Sequence, residues 1–470
     1  MITSYDVRIW NIQVHEGKAR RAGKPVCTYR PRWVVAGEVF GESFKTKALA
    51  ESFRSKLVTY QREGVAFDVA TGLPEPMARL LNTKTWYEHA IAFVDMKWPH
   101  AAGNQRKSIA ESLAHVTPAL LSSTRGAPIE AEIRRALYSY VFNTTRRKGG
   151  SPPEDLAATV RWLSTNTVKL NDLQDAALVR KALDKLSLRT TDGKPAAANT
   201  IARKRAVFYG CLRYGVELRL LPAHPMDNVQ WVTPKSDDEV DRRSVVNPRQ
   251  ALALLYAVCA IAPWLVAFFA CLYFAGLRPA EAVHLRDVDC DLPEDDGWGT
   301  LRLSGSTPHV GEGWGNDATA VREDRELKHR AKSTIRPVPA PPPLVRILRW
   351  HIAVFGCAPD GRLFITRHGL YGGGPVSRVT YSRVWRAARK AALTPAQHQS
   401  PLAKRPYDLR HACLSLQLNA GVPATQVAEW AGHSVQVLLR VYAKCIEGQD
   451  EAARRHIEGA LDMEEDQGER

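Results

Sequence analysis

Two residues near the carboxyl end of the chain could act on a phosphate ester. His433 and Tyr442 stand nine residues apart in the segment EWAGHSVQVLLRVYAKC. A tyrosine hydroxyl can form a covalent bond to phosphorus and so conserve the energy of a phosphodiester for rejoining. Its ordinary pKa near 10 means that it needs neighbouring cations or a base. The pair therefore indicates phosphoryl transfer if other segments supply positive charge.

Two arginines and a lysine in other segments could supply that charge. Arg278 stands in AGLRPAEAV, Arg410 in RPYDLRHAC and Lys328 in ELKHRAKSTIRPVP. Guanidinium groups stay charged and bind oxyanions through paired hydrogen bonds, which suits the charge that develops on a phosphodiester under attack. A lysine on a hairpin loop could protonate the departing 5′-oxygen, and Lys332 is the alternative to Lys328 in the same segment. Together these segments predict DNA strand cleavage without a metal.

In these segments the chain resembles the tyrosine recombinases, or phage-type integrases. The resemblance is strongest between about residues 246 and 446, in GLRPAE, YDLRHA and AGHSVQVLLRVYA. It implies that two arginines hold the scissile phosphate, that a lysine is the general acid and that a histidine hydrogen-bonds the phosphate. It also implies a tyrosine nucleophile that forms a 3′-phosphotyrosyl bond and a glutamate that steadies the site. In that order, these residues are Arg278 and Arg410, Lys328, His433, Tyr442 and Glu281.

One residue departs from the family pattern. Tyr407 begins the segment YDLRH, where the family commonly has a histidine three residues before the second arginine. A tyrosine can still donate a hydrogen bond to a phosphate, but it is a poorer base near neutral pH. Tyr407 is therefore counted among the catalytic residues while the identity of the base stays open, with His411 as the less favoured substitute.

The resemblance implies an enzyme that integrates or excises a mobile element by cutting and rejoining DNA at specific sites. The expected partners are two double-stranded DNA sites, a homotetramer assembled on them, and an excisionase or a host DNA-bending protein; neither cofactor nor metal is expected. Two alternatives are a non-catalytic DNA-binding regulator with the same fold and a type IB topoisomerase-like strand transferase. The full set of arginines, lysine, histidine and tyrosine favours the recombinase over the regulator.

Composition and charge agree with a nucleic-acid partner and disfavour a membrane protein. Lys and Arg number 65 against 49 Asp and Glu, which makes the net charge +16 and the pI about 9.5, and such an excess favours a polyanion. The eight cysteines form no C-x-x-C pair and are predicted to be reduced thiols. With no secretory signal at the N-terminus, the expected location is cytoplasmic, in association with DNA, for a bacterial or phage-encoded protein. The uncharged stretch 250–277 contains Pro263 and therefore predicts two buried helices instead of a membrane span.

The pattern along the chain predicts a multidomain protein that is mainly α with small β elements. In the helix that closes the second domain, Arg203, Lys204 and Arg205 could contact DNA phosphates, although a solvated basic face explains them equally well. The predicted parts are an arm-binding-like α+β domain (1–65), a linker (66–81), a helical core-binding domain of the SAM-like type (82–232), a second linker (233–247), a mixed α/β, mostly α catalytic domain (248–450) and a C-terminal tail or helix (451–470).

Overall fold

The structure, a computed structural model, describes residues 2–21, 24–80, 84–232, 234, 239–327, 334–367, 372–442, 454–455 and 457–458. It is mainly helical with small antiparallel sheets, as predicted. The chain divides into two compact units, Met1–Ser236 and Asp237–Arg470. The finer layout of three domains and two linkers stays a prediction.

The first unit begins with short strands that pack on one helix. β2, β5 and β6 form a three-stranded sheet, β3 pairs with β4, and β1 pairs with β7. Trp33, Val35, Leu57 and Phe67 are buried together beneath them. The strands are β1 (Thr3–Ser4), β2 (Val7–Ile9), β3 (Gln13–Arg21), β4 (Lys24–Arg30), β5 (Arg32–Val35), β6 (Glu38–Gly41) and β7 (Phe67–Asp68).

Helices make up the rest of the first unit. Thr46 caps the first of them, because its hydroxyl oxygen accepts a hydrogen bond from the Leu49 amide. Leu49 is 57% exposed, whereas Leu57 is buried in the core. The helices are α1 (Lys47–Arg62), α2 (Glu75–Leu80), α3 (Trp86–Lys97), α4 (Gly103–Val116), α5 (Glu130–Ala136), α6 (Thr144–Lys148), α7 (Glu154–Thr165), α8 (Ala176–Leu186) and α9 (Ala198–Glu217).

The second unit contains a small sheet that carries one buried arginine. Its strands are β8 (Cys290–Asp291), β9 (Gly299–Leu303) and β12 (Arg336–Ala340), while β10 (Gly305–Ser306) and β11 (Arg325–Glu326) pair separately as a two-stranded sheet. β9 pairs with both β8 and β12, and Arg336 lies opposite Leu303 in the register. Because side chains alternate along a strand, Arg336 shares the buried face of β12 with Val338 and Ala340.

The helices of the second unit surround this sheet and form the main core. They are α10 (Pro248–Ile261), α11 (Val266–Phe274), α12 (Pro279–His284), α13 (Pro342–Phe355), α14 (Arg378–Ala392), α15 (Pro395–Gln399), α16 (Asp408–Asn419), α17 (Ala424–Ala431) and α18 (Val435–Tyr442). α11 is buried almost completely, and it packs against α13 and α16. α17 packs against both α16 and α18, which brings the YDLRH and AGHS segments together.

The uncharged stretch folds as two helices, as Pro263 predicts. Asn247 caps α10 with its side chain, and Pro248 occupies the first helical position, where no amide hydrogen is needed. Pro263 then begins a short 3₁₀ turn that separates α10 from α11. None of the helices within the described residues is long and apolar enough to cross a membrane.

Candidate active site

The start of α12 links Arg278 to Glu281. Pro279 takes the first helical position, so Arg278 becomes the N-cap residue and Glu281 stands in the first turn. The Arg278 backbone amide donates to Glu281 Oε2 at 2.8 Å, and Arg278 Nη1 donates to Glu281 Oε1 at 2.7 Å. The remaining terminal nitrogen, Nη2, donates to the Gly432 carbonyl oxygen at 3.1 Å. The local helix start therefore aims the guanidinium at the turn between α17 and α18.

Two further arginines share the Glu281 carboxylate. Arg336 Nη2 lies 2.9 Å and Arg410 Nη1 lies 3.9 Å from Glu281 Oε2. Burial by itself would raise the pKa of Glu281, but Arg336, Arg278 and Arg410 outweigh it and lower the pKa to about 2. Glu281 is thus ionised at neutral pH. Three guanidinium groups against one carboxylate leave a net charge of about +2 in a largely desolvated site, which favours an anion.

Arg410 is fully buried and ties three segments together. Its terminal nitrogens donate to the carbonyl oxygens of Gly276 and Ala431. Nη2 also lies 3.1 Å from His433 Nε2. Arg410 Nε has no hydrogen-bond partner within the part of the chain that the structure describes. The second predicted arginine therefore sits at the junction of α12, α16 and the turn after α17.

His433 is held neutral beside these arginines. Burial lowers its pKa first, and the charges of Arg410, Arg278 and Arg336 lower it further, to about 3. Because an arginine can only donate, Arg410 Nη2 makes His433 Nε2 an acceptor and leaves the ring proton on Nδ1. Nδ1 is buried and has no partner among the described residues. His433 thus offers an N–H group that could donate a hydrogen bond to a phosphate oxygen.

Tyr442 lies against the residue that follows Arg410. Its side chain is fully buried, and its hydroxyl is 2.8 Å from His411 Nδ1. Burial lowers the pKa of Arg410, and a phenolate at Tyr442 would oppose that shift. His433 and Tyr442 therefore contact adjacent residues of α16, Arg410 and His411. The two residues are linked through α16, since each contacts one of this pair of neighbouring side chains.

Tyr407, which stands where the family has a histidine, lies near Arg278. Burial opposes the rise in the pKa of Arg278, Glu281 is the main cause of that rise, and the Tyr407 phenol adds to it. The Tyr407 ring packs edge-on against His411, with 5.1 Å between the ring centroids. Tyr407 is thus part of the cluster, but His411 is the residue in contact with the Tyr442 hydroxyl.

No protein-family model and no curated protein matches the sequence. In structure, the Tn1549 transposon integrase in complex with a circular intermediate DNA is similar over 67% of this chain and 96% of its own, with 16% identity and a TM-score of 0.47. A lambda integrase tetramer bound to a Holliday junction is similar over 87% and 93%, with 15% identity and a TM-score of 0.43. The XerH site-specific recombinase bound to difH is similar over 75% and 94%, with 12% identity and a TM-score of 0.41.

These neighbours are tyrosine recombinases. All of the TM-scores lie below 0.5, so this similarity assigns no role to any residue of the site. Lys328 and Lys332, the two candidates for the general acid, lie outside the described residues.

The three basic residues predicted to contact DNA in α9 differ in their positions. Arg203 is partly exposed and bonded to Ser108 and Glu111. Arg205 is half-buried. Lys204 is buried, with its ammonium 2.9 Å from His115 Nδ1, which corrects the expectation that it lies along phosphates. Lys204 lies on the buried face of α9 because its neighbours on that face, Ile201 and Phe208, are apolar.

Two residues of the site, Arg336 and Gly432, have no role in the sequence interpretation. A third, His411, has only the role of the less favoured substitute base. The alternation of Arg336 with Val338 and Ala340 could have marked a buried arginine. Gly432 closes α17 in the left-handed region at φ +63°, where a helix often ends in glycine. His411 carries no sequence signal beyond its position next to Arg410.

Proposed function

We propose that this chain is a site-specific DNA recombinase that cuts and rejoins strands through a 3′-phosphotyrosyl intermediate on Tyr442. The observation that carries the proposal is the convergence of Arg278, Arg410 and His433 at one turn, with the Tyr442 hydroxyl on the neighbouring residue of α16. A non-catalytic DNA-binding protein has no use for a phenol placed beside phosphate-binding arginines. In this proposal Lys328 supplies the proton to the 5′-oxygen.

The arrangement explains how a phosphodiester could be held without a metal. Arg278 and Arg410 present guanidinium groups that are already fixed by carbonyl oxygens and by Glu281, so little reorganisation is needed when charge develops. His433 adds a neutral N–H donor. Arg410 and Tyr442 are fully buried in the chain without DNA, so a phosphate reaches them only after neighbouring side chains move.

Substrate and assembly follow from the same proposal. We propose double-stranded DNA with two recombination sites as the substrate, a homotetramer as the active assembly, and integration or excision of a mobile element as the outcome. An excisionase or a DNA-bending protein would set the direction.

Trapping of the covalent intermediate tests the proposal. Duplex sites selected by the purified chain from a random-sequence library are rebuilt with a nick, so that the short cleaved strand diffuses away and the intermediate accumulates. The wild type should form a protein–DNA adduct in the presence of EDTA. Tyr442→Phe should form none while binding the site within a few fold, because only the nucleophilic oxygen is removed.

A matched control separates the nucleophile from a general loss of tyrosine. Tyr273 is also buried in this unit, and Tyr273→Phe should trap DNA like the wild type. Adduct formation by Tyr442→Phe at the wild-type level would disprove the assignment. An adduct with relaxation of a supercoiled plasmid, but without exchange between two sites, would favour the topoisomerase-like alternative.

A further inference from the structure

The contact between Tyr442 and His411 raises the question of which group removes the phenolic proton. Tyr442 Oη and His411 Nδ1 are 2.8 Å apart, and the ring centroids are 5.7 Å apart with the planes tilted by 55°. This distance is that of a well-formed hydrogen bond. The residue in the usual position of the base, Tyr407, is a phenol whose ring packs edge-on against His411.

Three elements hold the two side chains together. His411 belongs to the first turn of α16, whose Arg410 is anchored by the carbonyl oxygens of Gly276 and Ala431. In α18, Leu438 and Tyr442 are one turn apart and form its buried face. The end of α18 is fixed in turn, because the Val441 carbonyl oxygen accepts a hydrogen bond of 2.8 Å from the Val240 amide.

The charges around His411 keep its ring neutral. Burial is the main cause that lowers its pKa, and Arg405 and Arg410 lower it further while Asp408 opposes them, so that the pKa falls to about 4. The phenols of Tyr407 and Tyr442 are the other titratable groups that face the ring. At neutral pH the imidazole is therefore uncharged, and its unprotonated nitrogen can accept a proton.

We propose that His411 is the general base that activates Tyr442, which rests on the function proposed above. In the step, the Tyr442 Oη–H bond breaks and its proton passes to His411 Nδ1. The electron pair of Oη forms the bond to phosphorus, and the bond from phosphorus to the 5′-oxygen breaks. The 5′-oxygen takes its proton from a general acid, the part proposed above for Lys328. On rejoining, His411 returns the proton to the phenol.

The tautomer of His411 provides a test without DNA. A base at Nδ1 requires that the neutral ring carry its proton on Nε2. Nitrogen-15 spectra of the histidine-labelled full chain at pH 7, with His411→Asn to assign the signal, should show the Nε2–H tautomer. An Nδ1–H tautomer would mean that the phenol accepts the hydrogen bond, and it would overturn the proposal whether or not the chain cleaves DNA.

Cleavage kinetics provide the second test. His411→Asn keeps a hydrogen-bond acceptor near Nδ1 but cannot take the proton, so single-turnover cleavage at pH 7 should slow by about 10²–10⁴-fold. The rate of the variant should rise about tenfold per pH unit toward the ordinary phenol pKa near 10, whereas the wild-type rate should change little from pH 6 to 8. Thermal unfolding of both proteins shows whether the variant is folded.

A sulfur leaving group separates the base from the acid. With a 5′-bridging phosphorothiolate in the nicked duplex, the leaving group needs no proton, so Lys328→Ala should regain activity and His411→Asn should stay slow. Rescue of His411→Asn by sulfur, or a rate within a few fold of wild type with the same pH profile, would overturn the role of His411. Failure of the wild type to form any adduct would instead disprove the proposed function. The tautomer spectra would still test whether Tyr442 donates its hydrogen bond to His411 Nδ1.

Discussion

Glu281 is the residue on which the positive charges of the site depend. Its carboxylate contacts Arg278 and Arg336 directly and lies 3.9 Å from Arg410. Arg336 and Arg410 are almost completely buried, at 2% and 0% exposure, so neither can turn to water if the carboxylate is lost. Removal of one partner from such a buried ionic cluster is costly because it leaves an uncompensated charge. We therefore expect the stability of the unit to respond to this one side chain.

Glu281→Gln should destabilise the second unit by about 3–5 kcal/mol at pH 7, in urea unfolding. Asp296→Asn is the matched control, because Asp296 is 73% exposed in its ion pair with Arg346 and its loss should cost less than about 1 kcal/mol. Equal unfolding midpoints for Glu281→Gln and the wild type would contradict the cluster described here.

The ionisation of Glu281 also predicts a pH dependence. Its folded pKa of about 2 lies below the ordinary value of 4.5, so its contribution to stability is complete above pH 4.5 and is lost as the pH falls toward 2. The difference in unfolding free energy between wild type and Glu281→Gln should shrink over that window. A difference that stays constant from pH 5 to pH 2.5 would show that the charge of Glu281 does not matter.

The turn between α17 and α18 is the element that gathers the site. Gly432 adopts φ +63° there, its carbonyl oxygen accepts from Arg278, and Arg336 Nη1 lies against the position that a Cβ atom would take. His433 follows directly and contacts Arg410. A side chain at this position would therefore strain the backbone and displace an arginine at once.

Gly432→Ala should cost more stability than the positive φ alone explains. A left-handed alanine costs roughly 1–2 kcal/mol, and Gly373→Ala isolates that cost because Gly373 has φ +83° with open space around it. Gly432→Ala should exceed this control in thermal unfolding and should lose adduct formation, because Arg336 and Arg278 both shift. Identical losses in the two variants would mean that the contact with Arg336 has no energetic weight.

At the scale of the whole molecule, the net charge of +16 predicts that the proposed binding to DNA depends on salt. Binding through phosphates releases counterions, so the logarithm of the binding constant should fall linearly with the logarithm of salt concentration. A chain that contacts six to ten phosphates should lose about 10³–10⁵-fold in affinity between 50 and 200 mM salt. Salt-insensitive binding would exclude a large phosphate footprint.

The basic residues of α9 provide variants for that measurement. Arg203→Ala should reduce the salt slope by about 1 if Arg203 contacts a phosphate. Lys204→Met should leave the slope unchanged and alter only stability, because Lys204 is 3% exposed and bonded to His115. A lower slope for Lys204→Met would show that the helix presents this residue to DNA after all.

Local pattern and chemistry were enough to single out the arginines and the tyrosine as candidates and to predict the break at Pro263. Each depends on a few neighbouring residues, since a helix start or a charged side chain declares itself within one turn of sequence. The partners of those residues come from the tertiary structure alone. Only packing brings Arg336 from a strand onto Glu281, turns Lys204 into the core, and sets His411 instead of Tyr407 against Tyr442. Such contacts join residues tens of positions apart, and the rotation of a helix about its own axis decides which side chains point inward.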